Sequence, residues 1–139
     1  MTTALDLHGD AHVARYIETD GQDGYLWREN TTILLLTTVG RKSGAECVNA
    51  LIFRPWGDSF LVVASKGGTD DSPAWFLNLT ADPSVFVQIK GEKFAARARV
   101  ATATEKPAMW TEMVAAWPDY AEYQTRTTRK IPVVVLDRA

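Results

Sequence analysis

Cysteine is almost missing from this chain. Cys47 is the only one in 139 residues, which excludes an intramolecular disulfide and any cysteine-built zinc cluster. A lone thiol is most at home in a reducing compartment, so a cytoplasmic protein is expected. Histidine is scarce as well. His8 and His12 have the i, i+4 spacing of a helical metal pair, but no third histidine exists to complete a site, and no metal is expected. An excess of one charge is also lacking: 15 basic side chains stand against 17 acidic ones, a net charge of -2. That balance excludes a global attraction for nucleic acid or anionic lipid, so any anion site must be local. Apolar runs such as Ile33–Leu36 and Phe60–Ala64 fall far short of the roughly 20 residues that span a bilayer. Residues 1–10 have neither the basic start nor the apolar middle of a secretory signal. Nucleophilic catalysis finds no support, because the serines lack a Gly-x-Ser-x-Gly elbow and Cys47 has no evident histidine base.

What is present suits one compact domain over residues 1–139, with 46% hydrophobic residues and no internal repeat or linker. Val13, Tyr16 and Ile17 fall at helical spacing within residues 10–18, until the Asp20-Gly21-Gln22-Asp23-Gly24 run stops the pattern. Residues 1–30 thus read as a helical lid or arm. Apolar, β-branched runs over 32–38, 47–53 and 59–65 predict a three-strand meander, with turns at Gly40–Gly44 and Pro55–Asp58. Ser72 as N-cap and Pro73 in the first turn predict a short helix over 74–79. Strands are expected at 85–89 and 94–100, the second placing Arg97 and Arg99 together on a solvated face. A helix capped by Thr104 should run to Trp117, where Pro118 ends it, and Ile131–Leu136 closes the chain as a strand. About six mostly antiparallel strands and three helices, joined by hairpin-length connections, define an α+β fold: a small barrel with peripheral helices.

Several segments carry chemistry. Gly40-Arg41-Lys42-Ser43-Gly44 sets two cations and a hydroxyl between glycines that let backbone N–H groups converge, the makings of an anion nest. Taken alone, it reads as readily as a solvated hairpin turn. It is not a P-loop, since the Gly-x-x-x-x-Gly-Lys spacing is missing and a strand follows it. Ala64-Ser65-Lys66-Gly67-Gly68 leaves a strand with a second hydroxyl and cation, or is simply a strand exit. Trp75 and Asn78 share a helix face, and Trp117, Tyr120 and Tyr123 form an aromatic cluster that either lines a pocket or packs on the barrel.

Taken in order, Leu34 to Gly44, Val48-Asn49, Ala64 to Gly68 and Trp75-Phe76-Leu77-Asn78-Leu79 resemble the deazaflavin-dependent nitroreductase and quinone reductase family. The likeness continues through Ala81-Asp82-Pro83, Pro118-Asp119-Tyr120, Tyr123-Gln124 and Arg129 to Val135, covering about residues 11–137. The resemblance implies a split β-barrel and coenzyme F420, a deazaflavin with a strongly acidic tail. It implies that Arg41, Lys42, Ser43 and Gly44 grip the phosphate, with Asn49 close by. It further implies that Ser65, Lys66, Gly67 and Gly68 wall the ring beside Trp75 and Asn78, and that Trp117, Tyr120 and Tyr123 line the acceptor pocket. Ser65, Tyr120 and Tyr123 are then the candidates to hydrogen-bond or protonate the acceptor. Two positions depart from the pattern: Cys47 stands where an arginine is common, and Ala50 where a proline is. The implied activity is hydride transfer from reduced F420 to a quinone-like or nitroaromatic acceptor. The alternatives are an FMN-dependent reductase and a non-catalytic binder of deazaflavin or fatty acid. Peripheral membrane contact and a homodimer are compatible with all of these.

Overall fold

A computed structural model describes residues 7–139. In chain order its elements are α1 (Gly9–Glu18), β1 (Leu26–Trp27), β2 (Thr31–Val39), β3 (Glu46–Trp56), β4 (Ser59–Val63), α2 (Ala74–Ala81), β5 (Ser84–Ile89), β6 (Glu92–Val100), α3 (Lys106–Ala116), α4 (Asp119–Thr125) and β7 (Val133–Arg138). All strand pairings are antiparallel, in the order β1-β2-β3-β4-β7-β6-β5, and a further β2–β5 pairing closes six of the strands into a barrel.

Period-2 alternation sorts the strand residues into two cores. One residue set from every barrel strand, including Leu34, Phe53, Val62, Val87, Ala98 and Val134, fills the lumen. On the outside of β2, β3, β4 and β7, Ile33, Ile52, Val63 and Val135 pack beneath Tyr16, Met109, Met113 and Tyr120 of the helices. Because β2 is covered on both faces, Ile33 to Leu36 are all buried, which explains its unbroken apolar run. Strand β6 has only one covered face. Ala96 and Ala98 point inward, and Arg97 and Arg99 lie in solvent as expected.

The closing β2–β5 seam is short, pairing Leu35 with Gln88, Leu36 with Val87 and Thr37 with Phe86. Tyr16 of α1 secures it. Its hydroxyl donates to Ile33 O at 2.9 Å and accepts from Lys90 N at 2.7 Å, tying both strands to one fully buried phenol. Burial pushes this phenol up to about 12. The N-terminal helix is therefore docked on the barrel.

Boundaries differ from expectation where capping and turn chemistry act. Strand β3 runs through Pro55 to Trp56, because a two-residue turn with Gly57 at φ +61° lets the hairpin pair up to its tip. Pro73, rather than Ser72, takes the N-cap of α2. Glu105, rather than Thr104, is the N-cap of α3, and the turn before it is closed by a reciprocal pair: Thr102 Oγ1 accepts from Glu105 N at 3.2 Å while Glu105 Oε1 accepts from Thr102 N at 3.0 Å. Pro118 ends α3 but also starts α4, a fourth helix that the polar stretch after it did not announce.

Candidate functional site

The barrel has a second seam, and it is open. Strands β3 and β4 pair only at Arg54–Leu61, Pro55–Phe60 and Trp56–Ser59. Beyond that point β3 stays with β2 and β4 stays with β7, so the two strands diverge. A cleft of about 530 Å³ occupies the split, walled by Asn49 to Ile52 of β3 and by Val63 and Ser65 at the end of β4. Lys66 and Gly67, the start of α2 with Trp75, and Trp117, Tyr120 and Tyr123 complete the wall, and the N-terminal segment adds His8, His12 and Trp27. Along this edge β3 has no ladder partner, so alternate peptide groups turn toward the cleft.

Polar side-chain atoms converge there without protein partners. The Ser65 hydroxyl, the Trp75 indole N–H and the Tyr120 hydroxyl belong to residues only 9%, 5% and 5% exposed. None of them makes a hydrogen bond within the described residues, and no fully buried side-chain nitrogen or oxygen is left unpaired there, so each of these atoms keeps accessible surface on a residue that lines the cleft. The Asn49 amide and the Lys66 ammonium join them, likewise unpaired among the described residues. Burial, and to a lesser extent Tyr123, pushes the Tyr120 hydroxyl above the ordinary phenol range. It remains a neutral donor at physiological pH.

The Ser65 loop is held under strain. Lys66, Gly67 and Gly68 take positive φ values of 45°, 64° and 81° in succession, a conformation unfavourable for lysine that persists only when its surroundings enforce it. Arg129 provides much of that enforcement, donating to Ala64 O at 3.2 Å, Ser65 O at 2.7 Å and Thr69 O at 2.8 Å. Arg126 adds a bond to Gly67 O at 3.3 Å. Gly68 does not line the cleft; a Cβ there would come within 2.9 Å of Tyr123 Cα, so only glycine lets α4 sit against the loop. Sequence reasoning missed Arg129 as a builder of this wall.

The Gly40–Gly44 turn borders the cleft without lining it. Gly40 N donates to Ala45 O at 2.7 Å, Gly44 N to Gly40 O at 2.8 Å and Ala45 N to Ser43 Oγ at 3.1 Å, a compact knot that leaves Arg41 and Lys42 exposed. Buried Asn78 anchors it. Its Oδ1 accepts from the Arg41 N at 3.2 Å and the Arg41 guanidinium at 3.1 Å, and its amide nitrogen donates to Thr38 Oγ1 at 3.1 Å. Asn78 thus holds the basic turn instead of facing the cleft. Trp75, about 4.5 Å earlier along the helix axis, faces it, so α2 sets the turn beside the open seam. Cys47 lies opposite Thr38 in the β2–β3 ladder, its thiol toward Ala45 O at 3.8 Å.

At the other end of the cleft the expected aromatic cluster is assembled. Tyr120 and Tyr123 meet edge-on at 6.1 Å, and Trp117 Nε1 donates to Tyr123 Oη at 3.4 Å. Trp27 joins them unannounced, its ring 5.5 Å from that of Trp117. The two histidines are engaged in this N-terminal packing. His12 Nε2–H donates to Gly24 O at 2.8 Å, and His8 Nε2 lies 3.0 Å from an Arg28 guanidinium nitrogen. Among the described residues no cluster of three or more potential ligands forms a metal site.

An open-seamed barrel with a strained polar loop, an aromatic end wall and a basic turn is the architecture of a split-barrel oxidoreductase that binds a flat, anionic coenzyme. Comparison with known proteins makes this specific. The family model for F420H(2)-dependent quinone reductases matches residues 10–138. An F420H(2)-dependent quinone reductase of Mycobacterium tuberculosis is 35% identical over 142 residues, covering 91% of this chain and 87% of the relative. A solved F420-H2 dependent reductase is 39% identical, with a TM-score of 0.70 over 76% of this chain and 93% of the other. Another solved structure, described as a domain-swapped dimer, is 36% identical with a TM-score of 0.73 over 90% and 93% of the two chains. The chain belongs to the F420H(2)-dependent quinone reductase family. Its coenzyme is accordingly F420, and flavin mononucleotide finds no support among these relatives.

Proposed function

We propose that the cleft reduces a quinone with a hydride from reduced F420, and that activated nitroaromatics are accepted adventitiously. The observation that carries this is the convergence of unpartnered Asn49, Ser65, Lys66, Trp75 and Tyr120 atoms on the open seam, beside a basic turn. These groups fit a flat polar ring with an acidic tail. Arg41, Lys42, Ser43 and Gly44 would hold the tail phosphate, and Asn49 and Lys66 of the cleft wall would add polar contacts to the coenzyme. Ser65, Gly67 and Trp75 wall the ring, while Gly68 and Asn78 act by fixing the loop and the turn. When bound, the coenzyme supplies a hydride from C5. The protein contributes orientation: Trp117, Tyr120 and Tyr123 seat the acceptor against the ring. Tyr120, neutral and partnerless, donates a hydrogen bond to the acceptor oxygen that gains negative charge, with Ser65 or Tyr123 completing the polar shell. Hydride plus one proton, drawn from water through these hydroxyls, converts quinone to hydroquinone. A cytoplasmic protein with peripheral membrane contact suits a lipid-soluble acceptor, and the relative described as a domain-swapped dimer supports pairing of this chain with itself.

The test is a fluorescence titration with F420 and with flavin mononucleotide, followed by addition of menaquinone to the reduced complex. F420 binding and quinone-dependent oxidation are expected. Tight flavin binding without F420 binding overturns the coenzyme assignment, and F420 binding without turnover overturns the reductase in favour of a carrier. Lys42→Ala should weaken F420 binding by about 1.5–3 kcal/mol, the range for a hydrogen bond to a charged group, with the melting temperature unchanged.

A further inference from the structure

Every nitrogen of the Arg129 guanidinium is bound to a carbonyl of one loop: Nη1 to Ala64 O at 3.2 Å, Nη2 to Ser65 O at 2.7 Å and Nε to Thr69 O at 2.8 Å. Among the described residues it has no carboxylate partner. Arg129 is itself held in place. Its carbonyl accepts from Gln124 Nε2 at 2.7 Å, and Gln124 Oε1 accepts from Ile131 N at 2.9 Å. It does not line the cleft, whereas Ser65, Lys66 and Gly67 do. A half-buried guanidinium that forgoes an ion pair to span three loop carbonyls serves the shape of the loop, not charge balance.

That shape sets the direction of the peptide N–H groups. In a trans peptide the N–H points opposite to the C=O. Anchoring Ala64 O and Ser65 O on Arg129 therefore turns the Ser65 and Lys66 N–H groups to the side of the loop away from Arg129. Neither they nor the Gly67 N–H meets an acceptor among the described residues. Ser65 is in the right-handed helical region, with φ -82° and ψ -41°, and Lys66 follows at φ +45°. A right-handed residue followed by a left-handed one brings successive N–H groups together into a concave anion nest. The Ser65 hydroxyl and the Lys66 ammonium, unpaired among the described residues, add two more donors.

We propose that Arg129 is a positioning residue: from outside the cleft it holds the Ser65, Lys66 and Gly67 N–H groups as a nest that receives a conjugated carbonyl oxygen of a ligand in the cleft. The inference rests on the ligand site proposed above, where a deazaflavin ring and a quinone both present such an oxygen. Donors fixed before the ligand arrives need not reorient when that oxygen gains negative charge. Lys66 is the costly position in the nest, since a left-handed lysine persists only under restraint. Arg129 restrains the chain on both sides of it, at Ala64 and Ser65 before and at Thr69 after. A lysine at position 129 would present one nitrogen in place of a fork that spans three carbonyls.

The experiment compares the full-length protein with Arg129→Ala, Arg129→Lys, Lys66→Gly and the Lys66→Gly/Arg129→Ala double variant. It measures the amide proton and nitrogen shifts of Ser65, Lys66 and Gly67, calorimetric Kd for oxidised F420 and for menadione, and the melting temperature. In the free protein, Arg129→Ala should move these three amide resonances and leave those of the closed seam, such as Leu36 and Val87, in place. In the unsubstituted protein the three should move downfield as the nest fills. They respond to F420 alone if the oxygen is the coenzyme's, and only after menadione is added if it is the acceptor's. Folded Arg129→Ala should bind that ligand about tenfold more weakly, and Arg129→Lys should not restore it. Glycine takes a positive φ without strain, so in the Lys66→Gly background the loss of Arg129 should cost less than about threefold. Arg129→Lys, which keeps the charge and most of the packing, carries the test if Arg129→Ala does not fold. Loop amides unmoved by either ligand, unaltered affinity without Arg129, full rescue by lysine, or an undiminished loss in the Lys66→Gly background overturns the proposal. A nest that depends on Arg129 and takes menadione but not F420 supports the positioning role while counting against the coenzyme reading.

Discussion

The barrel has two seams of opposite character. Where β2 meets β5, the ladder closes and the buried Tyr16 hydroxyl bonds to groups on both sides. Where β3 leaves β4, the ladder stops and Ser65, Trp75 and Tyr120 keep unpartnered polar atoms at the opening. These atoms keep accessible surface, so in the open seam water or a ligand completes them. On the function proposed above, the closed seam carries stability and the open one carries the coenzyme and acceptor site, and substitutions at the two should separate accordingly.

The largest effect is expected at the closed seam. Tyr16→Ala removes a fully buried ring and should cost about 3–5 kcal/mol by denaturant unfolding, in the range of large-to-small core changes. Tyr16→Phe keeps the ring but strips the acceptor from Lys90 N, at about 1–3 kcal/mol. Neither should change F420 affinity while the domain is folded. The same phenol gives the seam a pH signature. Its native pKa is raised to about 12, so above about pH 10 the unfolded chain loses the proton first and stability falls as pH rises, by about 1.4 kcal/mol per pH unit until the native value is reached. An alkaline limb between about pH 10 and 12 should therefore appear in the melting curves and become shallower in Tyr16→Phe, the remainder coming from the likewise raised Tyr120 phenol. A Tyr16→Phe protein with the full limb would break the contrast between the seams.

How much of this was legible beforehand follows from where the signals are local. The barrel strands were readable from apolar runs and turn residues, and the buried and solvated faces of β6 from the Ala96-Arg97-Ala98-Arg99 alternation. The Thr102-Ala103-Thr104-Glu105 spacing is that of a capping box, and its reciprocal bonds form the turn just before α3 starts at Lys106. Arg129 and Trp27 reach the site from residues 64 and 90 positions away in sequence, Ser65 and Trp117, and no spacing rule encodes such contacts. The spacing of three puts Asn78 on one face of its helix with Trp75, yet Trp75 lines the cleft and Asn78 does not. Only the long-range bond to Arg41 shows that it serves the turn more than the cleft.

Asn78 provides the intermediate effect, because it belongs to both aspects of the comparison. Asn78→Ala removes the anchor of Arg41 and Thr38 from a site only 3% exposed. It should cost about 1–3 kcal/mol of stability. Unlike Tyr16→Ala, it should also weaken F420 binding, since the turn loses its fixed geometry. Titration of the folded variant tests this, and unaltered affinity would show that the turn holds its shape without α2.

The smallest effect is expected at Cys47, which stands opposite Thr38 and beside the turn. If the open seam draws its ligand partly by charge, Cys47→Arg should tighten F420 binding by about 0.2–1 kcal/mol, the scale of a solvent-exposed ion pair. The gain should shrink as ionic strength rises and the Debye length falls below about 10 Å. Stability should hardly change, since among the described residues the thiol's hydrogen bonding is one long contact, 3.8 Å to Ala45 O. Lys42→Ala in the same background separates direct attraction from rearrangement. A direct effect survives loss of the lysine, because each cation meets the acidic tail on its own, whereas an arginine that acts by displacing Lys42 gains nothing when the lysine is absent. A salt-independent gain, or none, would place the tail away from the β2–β3 ladder and leave the Arg41–Gly44 turn as its grip.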